Sequence, residues 1–227
     1  MKQTIVISLG GSLVWKNDEI DTGYLKKFRK LVLNLSKKYR VVIVVGGGTL
    51  ARYFNKSAKI LNKSVTNREL DWMGTKATKV NAELIRIMFG AKAFYKILDK
   101  PTTEIEKDAQ IFVAGGWKPG ATSDNMAVNL AVRFKAQLVI NLTNISRVYT
   151  ADPKENKEAK PLSQISWVEF LKIIGTKYVA GGNWPFDPIA SLYAYNNALS
   201  VAVIEGHRFN DINKLLKDKP FIGTLIQ

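Results

Sequence analysis

The sequence predicts an α/β fold with a mainly parallel central sheet. Short apolar stretches alternate with longer stretches of helical periodicity along the 227 residues, which is typical of strands joined by crossover helices. Two of the apolar stretches, residues 5–9 and 41–45, end directly in glycine clusters. The chain is long enough to bury one large core, and since no linker-like stretch interrupts it, we expect a single domain over residues 1–227.

The first half of the chain alternates strands and helices. Asp21 is a favourable N-cap for a helix whose apolar positions 25, 28, 31 and 35 share one face. Further helices are predicted over about 50–61 and 67–89. The predicted strands of this half are 5–9, 41–45, 93–97 and 111–114, the last of which ends in the glycine pair 115–116.

The second half repeats this alternation around a long loop. The stretch 150–161 is polar and interrupted by prolines, which indicates a surface loop. The predicted elements are a helix from Ser123 or Asp124 to Phe134, a strand over 138–142, a helix from Ser166 to Ile174, a helix over 187–197 behind the glycine pair 181–182, a strand over 200–204, a helix over 210–216 and a short strand over 221–226.

The two glycine clusters behind the first strands are the most informative feature of the chain. Residues 10–12 and 46–48 each stand between a strand and sequence that can open a helix. Glycine lets backbone N–H groups approach an anion without obstruction by Cβ, and a helix that starts there adds the positive end of its dipole. Two such turns predict a site for two phosphorylated groups, which is what phosphoryl transfer requires.

Composition excludes several other kinds of site. The chain has no cysteine, so disulfides, thiolate metal sites and a cysteine nucleophile are ruled out. His207 is the only histidine and lies in a predicted exposed loop, which argues against a Ser–His–Asp hydrolase. The N-terminal apolar run is too short for a signal peptide, and no segment approaches the ~20 apolar residues of a membrane span. We therefore expect a cytoplasmic protein without membrane association.

The net charge of +15 is compatible with two interpretations. Lysines and arginines are spread along the predicted helices, as expected for a solvated basic surface. The same charge would also attract polyanionic ligands such as nucleotides or nucleic acid. Charge alone does not separate these interpretations.

Two common nucleotide motifs fit the second glycine cluster poorly. Residues 46–51 match G-x-G-x-x-A, but a dinucleotide site needs an acidic residue at the end of the next strand. Glu69 and Asp71 have the right offset and instead begin a helical stretch. A Walker A loop is also absent, because neither cluster is followed by Gly-Lys-Ser/Thr.

Other residues complete the predicted anion site. Arg52 lies one turn into the helix behind the second cluster, where a guanidinium can clamp a phosphate. A third glycine-rich turn over 115–124 offers hydroxyl groups and ends at Asp124, whose carboxylate can organise a cation or a lysine. Tyr149 and Asp152 follow the strand that ends at Thr143, and such side chains suit a base and a ribose hydroxyl.

In this order, the segments resemble the amino acid kinase superfamily, and most of all its archaeal uridylate (UMP) kinase branch. The resemblance runs through essentially the whole chain. The segments that carry it are Gly10–Ser12, Val45–Arg52, Asp71–Gly74 with Asn81-Ala82, Pro119–Asp124, Thr143-Asn144 with Val148–Pro153, Asp187–Ala190 and Gly223–Ile226.

The resemblance implies a three-layer αβα sandwich, hexameric in this family, that transfers the γ-phosphoryl group of MgATP to UMP. It implies an acceptor-binding lobe over about 1–125 and an ATP-binding lobe over about 126–227. Mg²⁺ would enter with ATP, and no residue is assigned as a protein ligand of a metal. Arg52 and Asp124 are the implied catalytic residues.

The substrate-binding residues are also implied by the resemblance. Those for ATP are Gly11, Ser12, Gly48, Arg52, Thr143, Tyr149 and Asp152. Those for UMP are Gly47, Asp71, Trp117, Lys118, Pro119, Gly120, Ala121, Thr122 and Ser123.

Two alternatives remain open at this point. The nearest keeps the fold and changes the acceptor to another phosphate or a carboxylate. The other is a non-catalytic oligomer that binds nucleotides or oxyanions, with nucleic acid as a less favoured ligand, as Ser146-Arg147 and the basic charge suggest.

Overall fold

The computed structural model describes residues 2–106, 108–177 and 184–227. The strands of this part of the chain are β1 (Thr4–Leu9), β2 (Trp15–Lys16), β3 (Glu19–Ile20), β4 (Arg40–Val45), β5 (Ile111–Ala114), β6 (Leu138–Thr143), β7 (Val148–Tyr149), β8 (Pro161–Leu162), β9 (Gln164–Ile165), β10 (Ser200–Glu205) and β11 (Thr224–Ile226). The α-helices are α1 (Gly11–Val14), α2 (Thr22–Leu35), α3 (Gly48–Leu61), α4 (Asn67–Phe89), α5 (Ser123–Arg133), α6 (Trp167–Ile174), α7 (Pro188–Asn196) and α8 (Phe209–Leu215).

The central sheet has the order β5-β4-β1-β6-β10-β11-β9 in the described residues. The first five of these strands are mutually parallel, and β11 runs antiparallel to β10. Chain order reverses at β1, because β4 and β5 lie on one side of it and β6 and β10 on the other. Such a switch point opens a crevice at the carboxyl ends of the strands, where ligands of α/β proteins bind.

Side chains alternate across the sheet and divide the core into two halves. Ile5, Ile7 and Leu9 of β1 pack in one cluster with apolar residues of α1, α2, α4 and α8. Val6, between them, packs in the other cluster with residues of α5, α6 and α7. Since successive side chains of a strand point to opposite faces, the sheet is covered on both sides. The predicted three-layer sandwich with a mainly parallel sheet is confirmed.

Local capping fixes where the helices begin. Asp21 accepts a hydrogen bond from the Tyr24 amide at 2.8 Å, as its sequence position predicts. Thr66 and Glu69 form a reciprocal capping box at the start of α4, and Ser166 and Glu169 form another at α6. These side chains satisfy N–H groups that lack a partner within the helix.

Several predicted boundaries need correction. Residues 93–97 form no strand, because only Ala93 and Leu98 make isolated bridges to β5. The last strand begins at Thr224, and α5 is capped by Thr122. The β2–β3 hairpin was not predicted. The glycine pair 181–182 lies outside the described residues, and within the described part no helix is long and apolar enough to cross a membrane.

Candidate active site

The two predicted glycine turns meet at the carboxyl edge of the sheet. β1 leads into Gly11 and β4 into Gly48, and since β1 and β4 are paired neighbours, the turns lie side by side. A Cβ atom added to Gly11 would stand only 2.6 Å from the Gly46 carbonyl oxygen and from the Gly48 Cα atom. Gly48 also has φ of +54°, a conformation that favours glycine. Backbone therefore packs on backbone at this point.

Asn81 of α4 holds the second turn in place. Its side-chain amide donates to the carbonyl oxygens of Gly46 and Gly47 at 2.9 and 3.0 Å. The Trp15 indole donates in turn to the Asn81 side-chain oxygen at 3.1 Å. Asn81 is buried, so these bonds are shielded from water. The turn carbonyls are engaged by α4, while the first N–H groups of α3 have no partner within the helix.

The third glycine-rich turn is anchored on α4 at two points. The Gly116 amide donates to the Thr78 hydroxyl at 2.5 Å. The Gly120 amide donates to a carboxylate oxygen of Asp71 at 3.2 Å, and Gly120 has φ of +74°. Between these anchors the side chains at 117–119 project from a backbone that is held at both ends.

Two carboxylates lie together behind this turn. Asp124 accepts hydrogen bonds from the Ser8 hydroxyl at 3.0 Å and from the Asp187 amide at 3.2 Å. Burial and the charge of Asp187 raise the pKa of Asp124 to about 6, against the effect of these two hydrogen bonds. Burial also raises the pKa of Asp187, whose Oδ1 caps α7 through the Ala190 amide at 2.7 Å. The pair therefore concentrates negative charge in a poorly solvated place.

The second and third turns border a cleft of about 430 Å³. Its walls come from the start of α3, from one face of α4 and from the third turn, with Trp184 and Asp187 closing it. The charged residues that line it are Arg52, Lys118, Asp71, Asp124 and Asp187. Ten of the predicted site residues line it: Gly47, Gly48, Arg52, Asp71, Lys118, Gly120, Ala121, Thr122, Ser123 and Asp124.

The cleft does not include the remaining predicted residues. Trp117 and Pro119 belong to the third turn without lining the cleft. Gly11 is covered by Gly48, and Ser12 is exposed beside it. Thr143 ends β6 on the other side of β1, and Tyr149 lies in β7.

Asp152 does not line the cleft either. It is exposed, and its side chain accepts a hydrogen bond from the Lys154 amide at 2.9 Å in a local turn. The structure therefore gathers the predicted UMP residues and the two predicted catalytic residues more closely than the predicted ATP residues.

Three residues that shape the site were given no site role from the sequence, although Asn81 and Asp187 lie in segments that carry the family resemblance. Asn81 had a usable signal, because helical periodicity places it on the buried face of α4 between Ala77 and Ile85. Ser8 had a weaker signal as a polar residue inside an apolar strand. Asp187 was predicted as the start of a helix and as part of the Asp187–Ala190 segment, and nothing local indicates its contact with Asp124.

The fold and the cleft define an α/β protein with a cleft bordered by glycine-rich turns at the switch point of its sheet. The chain belongs to the amino acid kinase family, whose model matches residues 3–205. A uridylate kinase of Thermoplasma volcanium is 31% identical over 229 residues, covering 100% of this chain and 99% of that protein. One of Methanospirillum hungatei is 31% identical over 226 residues, covering 98% and 94%.

A solved structure agrees with these relatives. The crystal structure of uridylate kinase from Archaeoglobus fulgidus superimposes with a TM-score of 0.85 at 32% identity. The match covers 99% of this chain and 100% of that one. The resemblance predicted from the sequence is confirmed at the level of the family and of the fold.

Proposed function

We propose that this protein is an ATP-dependent uridylate kinase, which transfers the γ-phosphoryl group of ATP to UMP and yields ADP and UDP. The observation that carries the proposal is the direct contact of the Gly11 and Gly48 turns beside the cleft. Two anion-binding turns in contact bring a donor and an acceptor phosphate together. Full-length similarity to proteins named uridylate kinase supports UMP as the acceptor.

In this proposal UMP occupies the cleft. Gly47, Asp71 and the run 117–123 hold it, with Asp71 placing the third turn through the Gly120 amide. The shape supports this assignment, because the second and third turns border a space that is also lined by Arg52 and Lys118, two cations without a carboxylate partner among the described residues. The acceptor phosphate already carries the nucleophilic oxygen, so the transfer needs positioning and charge neutralisation more than a general base.

ATP binds on the other side of the Gly11–Gly48 contact. Gly11, Ser12, Gly48 and Arg52 hold its phosphates, while Thr143, Tyr149 and Asp152 hold its nucleoside. Support comes from topology, since β6 delivers Thr143 to the same edge of the sheet next to β1. Arg52 stands between the two sides, and within the described part of the chain its guanidinium donates only to the neutral Thr49 hydroxyl, at 3.1 Å.

Mg²⁺ is expected to enter with ATP. Among the described residues no group of three or more His, Cys, Asp or Glu side chains is placed to hold a metal. Asp124 and Asp187 are neighbouring oxygen donors, and Mg²⁺ is often held by one or two carboxylates together with substrate phosphates. These residues fit an ion that arrives on the triphosphate and offsets its charge.

We further propose that the two halves of the chain divide this work and that the protein assembles. Residues 1–125 form the acceptor-binding lobe and 126–227 the ATP-binding lobe, in agreement with the cleft lining, most of which comes from residues 47–124. A cytoplasmic homohexamer is the expected form. Large exposed apolar side chains on α3, among them Tyr53, Ile60 and Leu61, support burial against another copy. Sedimentation analysis tests the hexamer.

A coupled ADP-release assay with purified protein, ATP and Mg²⁺ tests the activity. The acceptors compared are UMP, CMP, acetylglutamate, carbamate and isopentenyl phosphate, and UMP is expected to give the highest kcat/KM. A higher value with another acceptor would replace UMP and keep the fold-level assignment. ADP formation with none of them, combined with UMP binding, would favour a non-catalytic nucleotide-binding oligomer. Nucleic-acid binding that weakens steeply with salt would instead identify nucleic acid as the ligand of such an oligomer.

A further inference from the structure

We propose that Asn55 selects a ribonucleotide as the acceptor, because its side-chain carbonyl oxygen accepts a hydrogen bond from a ribose hydroxyl group. This inference rests on the proposed function and adds one specificity-determining residue to it. Asn55 belongs to α3 and lines the cleft. It lies beyond Val45–Arg52, the segment of this region that carries the family resemblance.

The side-chain oxygen of Asn55 is buried without a partner. Its Oδ1 atom has almost no contact with solvent, and no hydrogen-bond donor of the described residues reaches it. The side chains of Ala51 and Leu70, which also line the cleft, are apolar and offer no donor. An acceptor that is buried and unpaired is costly, and native proteins keep few of them. A ligand in the cleft can supply the missing donor.

An unpaired acceptor restricts the chemistry of that ligand. A fully ionised phosphate or carboxylate presents only acceptor oxygens, so neither group can satisfy Oδ1 of Asn55. The ligand must instead bring an O–H or N–H group to this wall of the cleft. UMP carries both kinds of donor, in its two ribose hydroxyl groups and in the N3–H group of uracil.

The position of Asn55 favours the ribose over the base. Asn55 follows Arg52 by three residues in α3, and side chains at this spacing are neighbours on a helix, with Cβ atoms about 5–6 Å apart. In the proposed function Arg52 lies between the donor and the acceptor phosphates. The ribose is bonded directly to the acceptor phosphate, whereas the base is attached beyond it. The ribose is therefore the part of UMP that comes next to Asn55.

Calorimetric binding in the absence of ATP tests this contact. It compares the wild type, Asn55→Leu and Asn55→Asp with UMP, 2′-deoxyUMP and 3′-deoxyUMP as ligands. Leucine resembles asparagine in shape and has no polar atoms, so the Kd of N55L for UMP should rise about 10- to 100-fold. The wild type should bind UMP about 10-fold or more tightly than at least one deoxy analogue, and N55L should lose that preference. N55D keeps an acceptor oxygen and should keep the preference, although its charge weakens the binding of all three ligands.

The stability of the ligand-free protein gives a second readout. Because N55L removes an unpaired buried acceptor, it should be at least as stable as the wild type, with a melting temperature raised by up to about 4 °C. The matched control is Gln110→Leu, which removes another unpaired buried amide oxygen at a residue outside the cleft lining. Q110L should bind UMP as tightly as the wild type does.

Several results would overturn the inference. One is an unchanged UMP affinity in N55L, and another is an equal loss for UMP and for both deoxy analogues. A marked fall in the melting temperature of N55L would show a structural role instead. N3-methyl-UMP, which lacks the N–H group of the base, tests the alternative donor. If the wild type rejects this analogue and N55L does not, the base and not the ribose meets Asn55.

Failure of the proposed function is a separate result. A wild-type protein that binds UMP and forms no UDP from ATP overturns the proposed function alone, since the binding comparison still decides the role of Asn55. Absence of UMP binding by the wild type overturns both.

Discussion

Replacing Asp124 by asparagine is expected to stabilise the protein at alkaline pH while it lowers activity at least about 10²-fold. Burial and the charge of Asp187 raise the pKa of Asp124 from 3.8 to about 6. A raised pKa means that the folded protein resists ionisation, so this group's contribution to stability is present below pH 3.8 and is lost as pH rises through 6. The difference corresponds to about 3 kcal/mol of unfolding free energy above pH 7.

Asparagine preserves the hydrogen bonds of this site. The Asp187 amide can donate to the new amide oxygen, and the new NH₂ group can donate to the Ser8 hydroxyl, which accepts as well as donates. Allowing about 1 kcal/mol for less favourable geometry, we expect D124N to gain about 1–3 kcal/mol at pH 8. Near pH 4 the gain disappears, because the wild-type carboxyl is protonated in the folded state.

Urea unfolding of both proteins measures the effect at pH 8 and near pH 4, at one protein concentration and with EDTA present. The activity of D124N should fall by at least about 10²-fold, since an electrostatic organiser of the transfer is lost. A D124N protein that is no more stable than the wild type at pH 8 would refute the argument. So would a stability difference that is the same at both pH values.

Three further predictions concern the turns around the cleft. Arg52→Ala should lower kcat/KM about 10²- to 10³-fold, while its circular dichroism spectrum stays normal. The control Lys56→Ala, on the exposed face of α3, should leave turnover unchanged. Near-normal turnover of R52A would show that Arg52 does not belong to the site. Gly11→Ala should lower the melting temperature by more than about 10 °C or prevent folding, because its Cβ would overlap the Gly46–Gly48 backbone. The control is Gly23→Ala, which should be tolerated because its Cβ would lie 3.4 Å from the nearest neighbouring atom. Asn81→Ala should lower the free energy of unfolding in urea by about 1–3 kcal/mol and weaken substrate binding, because the carbonyl oxygens of Gly46 and Gly47 lose their donor. Unchanged stability and an unchanged KM would contradict this role.

Most secondary structure could be predicted because its determinants are local. Helical periodicity and capping residues act over three or four positions, and α2, α4 and α6 begin at the residues that the sequence indicates. The prediction of a strand over 93–97 failed because its apolar composition resembles a strand, while in the fold it forms only isolated bridges to β5, at Ala93 and at Leu98 just beyond it. A strand depends on a partner, which a local pattern does not reveal.

The site was predicted in part. Family resemblance supplied the roles of Thr143, Tyr149 and Asp152, and these remain predictions, since the three residues lie outside the cleft lining. The three glycine turns were visible in the sequence because each directly follows a strand of the sheet. Their meeting at one edge of the sheet depends on the strand order, in which β4 lies between β5 and β1.

The sequence by itself determined the alternation of strands and helices, the caps and the three glycine turns, because each is set by residues close together in the chain. Only the tertiary structure decided that the Gly11 and Gly48 turns touch, and that Ser8 and Asp187 share Asp124 across separations of 116 and 63 residues. The physical reason is the parallel sheet. It brings the carboxyl ends of strands that are distant in sequence to one edge, and burial there gives the carboxylate a raised pKa that no local motif encodes.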